Sequence, residues 1–195
     1  MFQVRFHGRG GQGVVTAAEI LSLAAFQEGQ YAQAFPSFGS ERTGAPVMAF
    51  CRIDSRAIRL REPVMKPNCL VIQDATLLQQ MNLFDGLASN GYILLNSKHS
   101  FADLGIEATL EAYPADRRIT VPATELAMEY VKRPLPNAAL LGAFSALTGV
   151  VKLEHVLAAI KEKFPGSIGD ANAMAARMAY DGVLQAQEVP HVTAN

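Results

Sequence analysis

Phe2, Val4 and Phe6 alternate with Gln3, Arg5 and His7, a period of two that predicts a strand with one face turned to a core. From Val14 to about Glu28 the period lengthens. Val14, Val15, Ala18, Ile20, Leu21, Leu23 and Ala25 make a broad apolar side, while Gln12, Thr16 and Glu19 follow at helical steps as a narrow polar stripe. A largely buried helix is expected there, stopped by Gly29. Tyr31 to Phe35 reads as a second strand. Val47 to Ile53 and Ala57 to Leu60 read as a strand pair turning at Asp54-Ser55, with Arg56, Arg59 and Arg61 exposed on the second of them. Cys69 to Gln73 and Tyr92 to Leu95 are continuous apolar runs, the mark of strands buried on both faces of a parallel sheet. Between them, Ala75 to Leu87 predicts mixed helix and turn.

Beyond residue 100 the period becomes mainly helical. Ala108 to Tyr113 and Arg118 to Val121 read as short strands, and Pro122 opens a helix that reaches Lys132-Arg133 before Pro134 and Pro136. Asn137 is placed to cap the next helix, with Leu140, Phe144 and Leu147 on one face. Leu153, Val156, Leu157, Ile160 and Phe164 define another apolar face, ended by Pro165-Gly166. A last helix is expected from about Asp170 to Gln187, with Met174 and Met178 inward. The pattern predicts an α/β fold: a doubly wound, mostly parallel sheet with helices on both faces and a helical C-terminal part. It forms one domain over 1–195, a strand-rich core at 1–121 and a helical layer at 122–188.

Composition narrows the function classes. A chain of 195 residues is long enough for one sizeable domain, burying roughly 70% of its unfolded surface. Charged residues make up 18% and the formal net charge is -1, against a globular average of about 25% charged. Such a surface suits a subunit packed in a complex. The Lys and Arg residues form no basic run, which argues against nucleic acid. No apolar run reaches the ~18 residues of a membrane span and no signal peptide is apparent, so no membrane association and a cytoplasmic location are expected. Cys51 and Cys69 lie in strand-like runs and are expected to be buried and reduced. Two cysteines fall short of the four thiolates an iron–sulfur cluster usually takes, and His7, His99, His155 and His191 have no ligand-like spacing.

The chemistry concentrates between the first strand and the first helix. His7-Gly8-Arg9-Gly10-Gly11-Gln12-Gly13 spells G-x-G-x-x-G, whose glycines serve a tight turn, close approach to a phosphate and close helix packing. The expected activity is anion binding, by backbone N–H groups of residues 10–14 at a helix N-terminus with Arg9 beside them. No Lys-Ser or Lys-Thr follows the glycines as in a Walker loop, and no G-x-S-x-G elbow occurs. His7 reads first as a hydrogen-bonded structural histidine and second as a base. A nicotinamide site would have an acid at the end of the second strand, where Gln33-Ala34-Phe35-Pro36-Ser37 stand instead. Asp74, Asn96, Ser97 and Lys98 follow strands and should share the carboxyl edge with the glycine loop. The polar segment Pro36 to Pro46, carrying Glu41 and Arg42, reads equally as solvated surface or as a binding loop.

VRFHGRGGQGVVTAAEIL, YAQAFPSFGSERTGAPVMAF, RIDSRAIRLREPV and VIQDATLL, in this order and spacing, resemble the gamma subunit of 2-oxoacid:ferredoxin oxidoreductases of the pyruvate type. PNAALLGAF at 136–144 adds a weaker C-terminal point. The resemblance implies a Rossmann-like module in an assembly that converts a 2-oxoacid and coenzyme A to acyl-CoA, carbon dioxide and reduced ferredoxin. It implies alpha, beta and delta-type partner subunits, ferredoxin as acceptor, and thiamine diphosphate, magnesium and iron–sulfur clusters held by those partners. This chain would pack beside the thiamine site and help bind coenzyme A. By the same resemblance, Gly8, Arg9, Gly10, Gly11, Gln12, Gly13 and Thr16 are the candidates at the coenzyme A phosphates. Ser40, Glu41, Arg42 and Thr43 are the candidates on the second loop. Two other readings stand beside it: a purely structural subunit, and an independent NAD(P)-binding oxidoreductase.

Overall fold

The computed structural model describes residues 1–37 and 43–188. Six strands form one sheet in the order β2-β3-β1-β4-β5-β6. They are β1 (Phe2–Arg9), β2 (Tyr31–Pro36), β3 (Pro46–Asp54), β4 (Cys69–Ile72), β5 (Tyr92–Asn96) and β6 (Arg118–Val121). β1, β4, β5 and β6 run parallel, whereas β3 is antiparallel to both β1 and β2, so three of the five pairings are parallel. Helix α1 (Val14–Gln27) links β1 to β2, and α2 (Glu107–Leu110) is a single turn before β6. The chain then closes with α3 (Ala123–Tyr130), α4 (Asn137–Thr148), α5 (Leu153–Lys163) and α6 (Ser167–Glu188).

Alternation along the strands divides the core in two. Val4 and Phe6 of β1, Cys51 and Ile53 of β3, and Cys69 and Val71 of β4 face the cluster built by α1 and α3 to α6. Leu70 and Ile72, Ile93 and Leu95 face a smaller cluster with Leu77, Leu83 and Leu110 from short turns and α2. Helical cover is therefore unequal: five longer helices lie on one face, and a 3-10 turn (Ala75–Gln79) and α2 lie on the other. α4 is buried at ten of its twelve residues, so Leu140, Phe144 and Leu147 do not define a single inner face. The helix is a central rod with packing all round.

Four expectations are corrected. Residues 55–68 are irregular and Ala57 to Leu60 form no strand, because both edges of β3 are already paired, to β1 and to β2. Instead the segment crosses the second face of the sheet, where the Glu62 carbonyl accepts from buried Arg52. Ala108 to Tyr113 is not a strand; its first part belongs to α2, which drives Leu110 into the smaller cluster. Met174 and Met178 point outward, 46% and 39% exposed, while Ala173, Ala175, Ala176, Ala179 and Val183 face inward. The reason is the close crossing of α6 on α4, which admits only small side chains. Asn137 is the first residue inside α4 rather than its cap, a position held by Pro136.

Candidate functional site

The end of β1 and the start of α1 meet at the carboxyl edge of the parallel strands. Gly8 is still within β1, and its missing Cβ makes room for the Val14 side chain, so it serves helix packing rather than a turn. Gly13 is the left-handed residue before α1, at φ 73° and ψ 33°, with Asn137 packed against the space its Cβ would take. Only glycine meets both demands there.

The loop is bound to the segment that leads into β3. Gly10 N–H donates to the Ala45 carbonyl (2.9 Å), and Gly44 N–H donates to the Gly10 carbonyl (3.1 Å). An isolated bridge joins Gly10 to Thr43. The two motifs of the sequence are therefore neighbours at one edge, as far as Thr43. Ser40, Glu41 and Arg42 lie outside the described residues.

Four side chains, those of Arg9, Gln12, Asp74 and Thr76, hold the loop in shape. Gln12 Oε1 accepts from Arg9 N–H (2.8 Å) and Gln12 Nε2 donates to Asp74 Oδ2 (2.7 Å). Arg9 Nε lies 3.2 Å from the same oxygen. Arg9 Nη1 donates to the Gly44 carbonyl (3.0 Å) and Nη2 to Thr76 Oγ1 (2.7 Å). The other carboxylate oxygen, Oδ1, accepts from Thr76 N–H (2.9 Å) and Thr76 Oγ1 (2.6 Å). Burial pushes the Asp74 pKa up, but these hydrogen bonds from Thr76 and Gln12, with the Arg9 charge, outweigh it and hold the carboxyl below its usual range. Asp74 itself is fixed through Gln73, whose N–H donates to the His7 carbonyl and whose carbonyl accepts from Asn96 Nδ2.

What remains open is the first turn of α1. Gly10 and Gln12 N–H groups are consumed inside the protein, the latter by the Arg9 carbonyl. The expected run of free donors at 10–14 is accordingly shifted. Among the described residues, N–H groups of Gly11 and of Gly13 to Thr16 have no protein acceptor, since the first helical bond is Ala17 N–H to Gly13. α1 has no capping side chain and no acidic residue in its first turn, so the positive end of its dipole is unopposed within the helix. A cleft of about 250 Å³ lies over it, lined by Arg9, Gly10, Gly11, Gly13 and Val14 to Thr16, with Val47 opposite. Arg9 borders this cleft with all three guanidinium nitrogens engaged. Thr16 is half-buried and reaches the cleft wall from the third helical position.

His7 is not a base for this site. It lies on the other face of the sheet, where Nε2 accepts from Arg5 Nε (3.0 Å). Burial, with Arg5 beside it, pushes its pKa down to about 3, and the ring stays neutral. Lys98 is exposed. Asn96 is structural: its side chain joins the end of β4 to Thr124 at the start of α3. Among the described residues no group of three or more His, Cys, Asp or Glu could hold a metal ion, and no helix is long and apolar enough to cross a membrane. The nicotinamide alternative loses its geometry as well as its acid. β3 intervenes between β1 and β2, which puts the end of β2 about 10 Å from β1 rather than beside it. Of the four residues that the sequence places at this edge, Asp74 is the one that touches the glycine loop. Its importance rests on contacts to Arg9 and Gln12, more than sixty positions away, which no local pattern records.

Residues 3–182 match the family described as pyruvate ferredoxin/flavodoxin oxidoreductase. The chain is 48% identical over 181 residues to pyruvate synthase subunit PorC of Methanothermobacter marburgensis, covering 93% of this chain and 97% of the relative. It is 46% identical over 181 residues to the pyruvate/ketoisovalerate oxidoreductases common subunit gamma of Pyrococcus furiosus, covering 93% and 96%. The crystal structure of pyruvate oxidoreductase subunit PORC from Thermotoga maritima superposes with a TM-score of 0.76 at 36% identity, covering 92% of this chain and 95% of that one.

Proposed function

The chain belongs to the pyruvate ferredoxin/flavodoxin oxidoreductase family as a gamma-type subunit, and from that premise we propose that the loop Gly8 to Gly13 and the start of α1 receive the phosphates of coenzyme A. The observation that carries this reading is the first turn of α1 beneath a cleft, where among the described residues no side chain caps the helix and the N–H groups of Gly11 and Gly13 to Thr16 have no protein acceptor. An anion there meets several N–H groups and the helix dipole at once. At about 250 Å³ the cleft is smaller than the ~300–1,000 Å³ of a complete small-molecule site. It suits one end of a long ligand whose other end lies against a different subunit.

In this reading the chain holds and aims the coenzyme while the carbon chemistry takes place next door. Thiamine diphosphate with magnesium, held by a partner subunit, would supply the decarboxylation, and clusters in alpha, beta or delta-type partners would carry the electrons to ferredoxin. This chain packs by the thiamine site and shares the coenzyme pocket. Thr43 is bridged to Gly10 of the cradle, and Ser40, Glu41 and Arg42 are further candidates at the coenzyme. The 2-oxoacid is pyruvate or a close homologue.

The test is Thr16→Asp in the assembled complex. A carboxylate in the first turn of α1 favours the helix itself but repels a phosphate bound over it. The Michaelis constant for coenzyme A should rise about tenfold or more, while that for the 2-oxoacid stays within about twofold. Equal changes in both constants, or none, would favour a purely structural subunit.

A further inference from the structure

We infer that Asp74 is the positioning residue of this cradle, setting the conformation of residues 9–13 from the end of β4 and keeping the Arg9 guanidinium for the protein instead of the anion. The inference rests on the reading of the cradle as a coenzyme A site.

The two oxygens of Asp74 have divided duties. Oδ1 caps its own 3-10 turn through Thr76 N–H and Oγ1, and Oδ2 faces the glycine loop through Gln12 Nε2 and Arg9 Nε. Gln12 passes the constraint on, because its other amide atom accepts from Arg9 N–H. The turn that delivers Gly13 to α1 is thereby tied to a strand buried on both faces. The pair is partly shielded, with side chains 21% exposed for Arg9 and 15% for Asp74. Arg9 also reaches Gly44 and Thr76, so one carboxylate joins three chain segments around the cleft. A guanidinium with every nitrogen engaged by protein does not have to move when an anion arrives. The anion is met by N–H groups already in place, the arrangement that costs least reorganisation on binding.

The division of oxygens supplies a selective test. In Asp74→Asn the remaining oxygen can keep the Thr76 cap, since Asn caps as well as Asp. The new amide nitrogen then confronts Gln12 Nε2 and Arg9 Nε, donor against donor. In Asp74→Asn/Gln12→Glu the polarity of that contact is reversed: the new carboxylate accepts from the new amide, from Arg9 N–H and from the guanidinium, and the net charge equals that of the native chain.

Coenzyme A affinity is measured by calorimetry on the purified complex, beside steady-state constants for both substrates. Asp74→Asn should weaken coenzyme A about tenfold, the scale of one lost charge-assisted hydrogen bond, with the constant for the 2-oxoacid unchanged. The double variant should recover to within about threefold of native. Gln12→Ala, which removes the same contact from the loop side, should reproduce the loss and serves if Asp74→Asn fails to assemble. Native affinity in Asp74→Asn, or no recovery in the double variant, overturns the role of Asp74. If Thr16→Asp weakens coenzyme A while Asp74→Asn and Gln12→Ala do not, Asp74 alone is dismissed. If none of them changes coenzyme A binding, the cradle is not its site.

Discussion

Gly142 of α4 lies against the backbone of Ala176 in α6 so closely that a Cβ on the glycine would overlap the Ala176 carbonyl oxygen. The two helices therefore touch backbone to backbone at the centre of the main core. Gly142→Ala must push them apart and should cost about 1–3 kcal/mol. Gly182, in the exposed part of α6, has nothing near its missing Cβ. Gly182→Ala should stabilise by about 0.5–1 kcal/mol through helix propensity. Urea unfolding of the two variants beside the native chain measures both signs in one experiment.

Acid should weaken the fold before its carboxylates titrate. His7 is 3% exposed and its folded pKa is about 3, against about 6.5 in the unfolded chain. The native state stays neutral between those values while the unfolded state takes up a proton. The contribution is complete above pH 6.5 and declines as pH falls, by about 1.4 kcal/mol per unit until pH 3. Between pH 7 and 5 the loss is roughly 2 kcal/mol. His7→Gln, which can still accept from Arg5, should flatten that part of the profile when unfolding is followed across a pH series.

Arg5 is the partner that makes this arrangement costly to disturb. Its Nη2 donates to the carbonyls of Leu83 (2.9 Å) and Asp85 (2.7 Å), and its Nε to His7. Arg5→Met removes all three bonds and leaves acceptors stranded under the turns that cover the smaller cluster. A loss of about 2–4 kcal/mol is expected at pH 7. The acid-dependent loss should end at a higher pH, because burial still depresses His7 but the charge that adds to it is gone. Comparing the two pH profiles separates the packing loss from the electrostatic one.

Cys51 and Cys69 both pair with Val4, from opposite sides of β1. They are two strand spacings apart, about 9.5 Å, beyond the ~7 Å limit of a disulfide. Each is fully buried, and burial pushes both thiols well above their usual range. Iodoacetamide should leave both unmodified in the folded chain and label both in urea, as read by intact mass. Labelling of either one before unfolding would show that the sheet opens locally beside β1.

The strand, the glycine turn and α1 were legible because each depends on neighbours within a few residues: alternation from Phe2 to His7, then a helical period from Val14 onward. Ala57 to Leu60 misled because alternation reports a local preference, whereas β3 had already spent both edges on β1 and β2. Met174 and Met178 misled for a related reason. Hydrophobicity points methionine inward, but the close approach at Gly142 reserves the inner side of α6 for alanine. Asp74 could be placed at the correct edge from the apolar run before it. Its hold on Arg9 and Gln12 could not, since that contact exists only once β4 has paired with β1.

The single reversed strand sets where the chain can vary. Because β3 begins opposite Arg9, at the register Arg9 to Pro46, whatever length of chain connects β2 to β3 must surface beside Gly10. Lengthening or replacing that connection changes the chain that leads into Thr43 without altering the register of β3 on β1. The fold thus separates a replaceable connection from the fixed turn of residues 8–13, and a protein engineer could exchange the first while keeping the second.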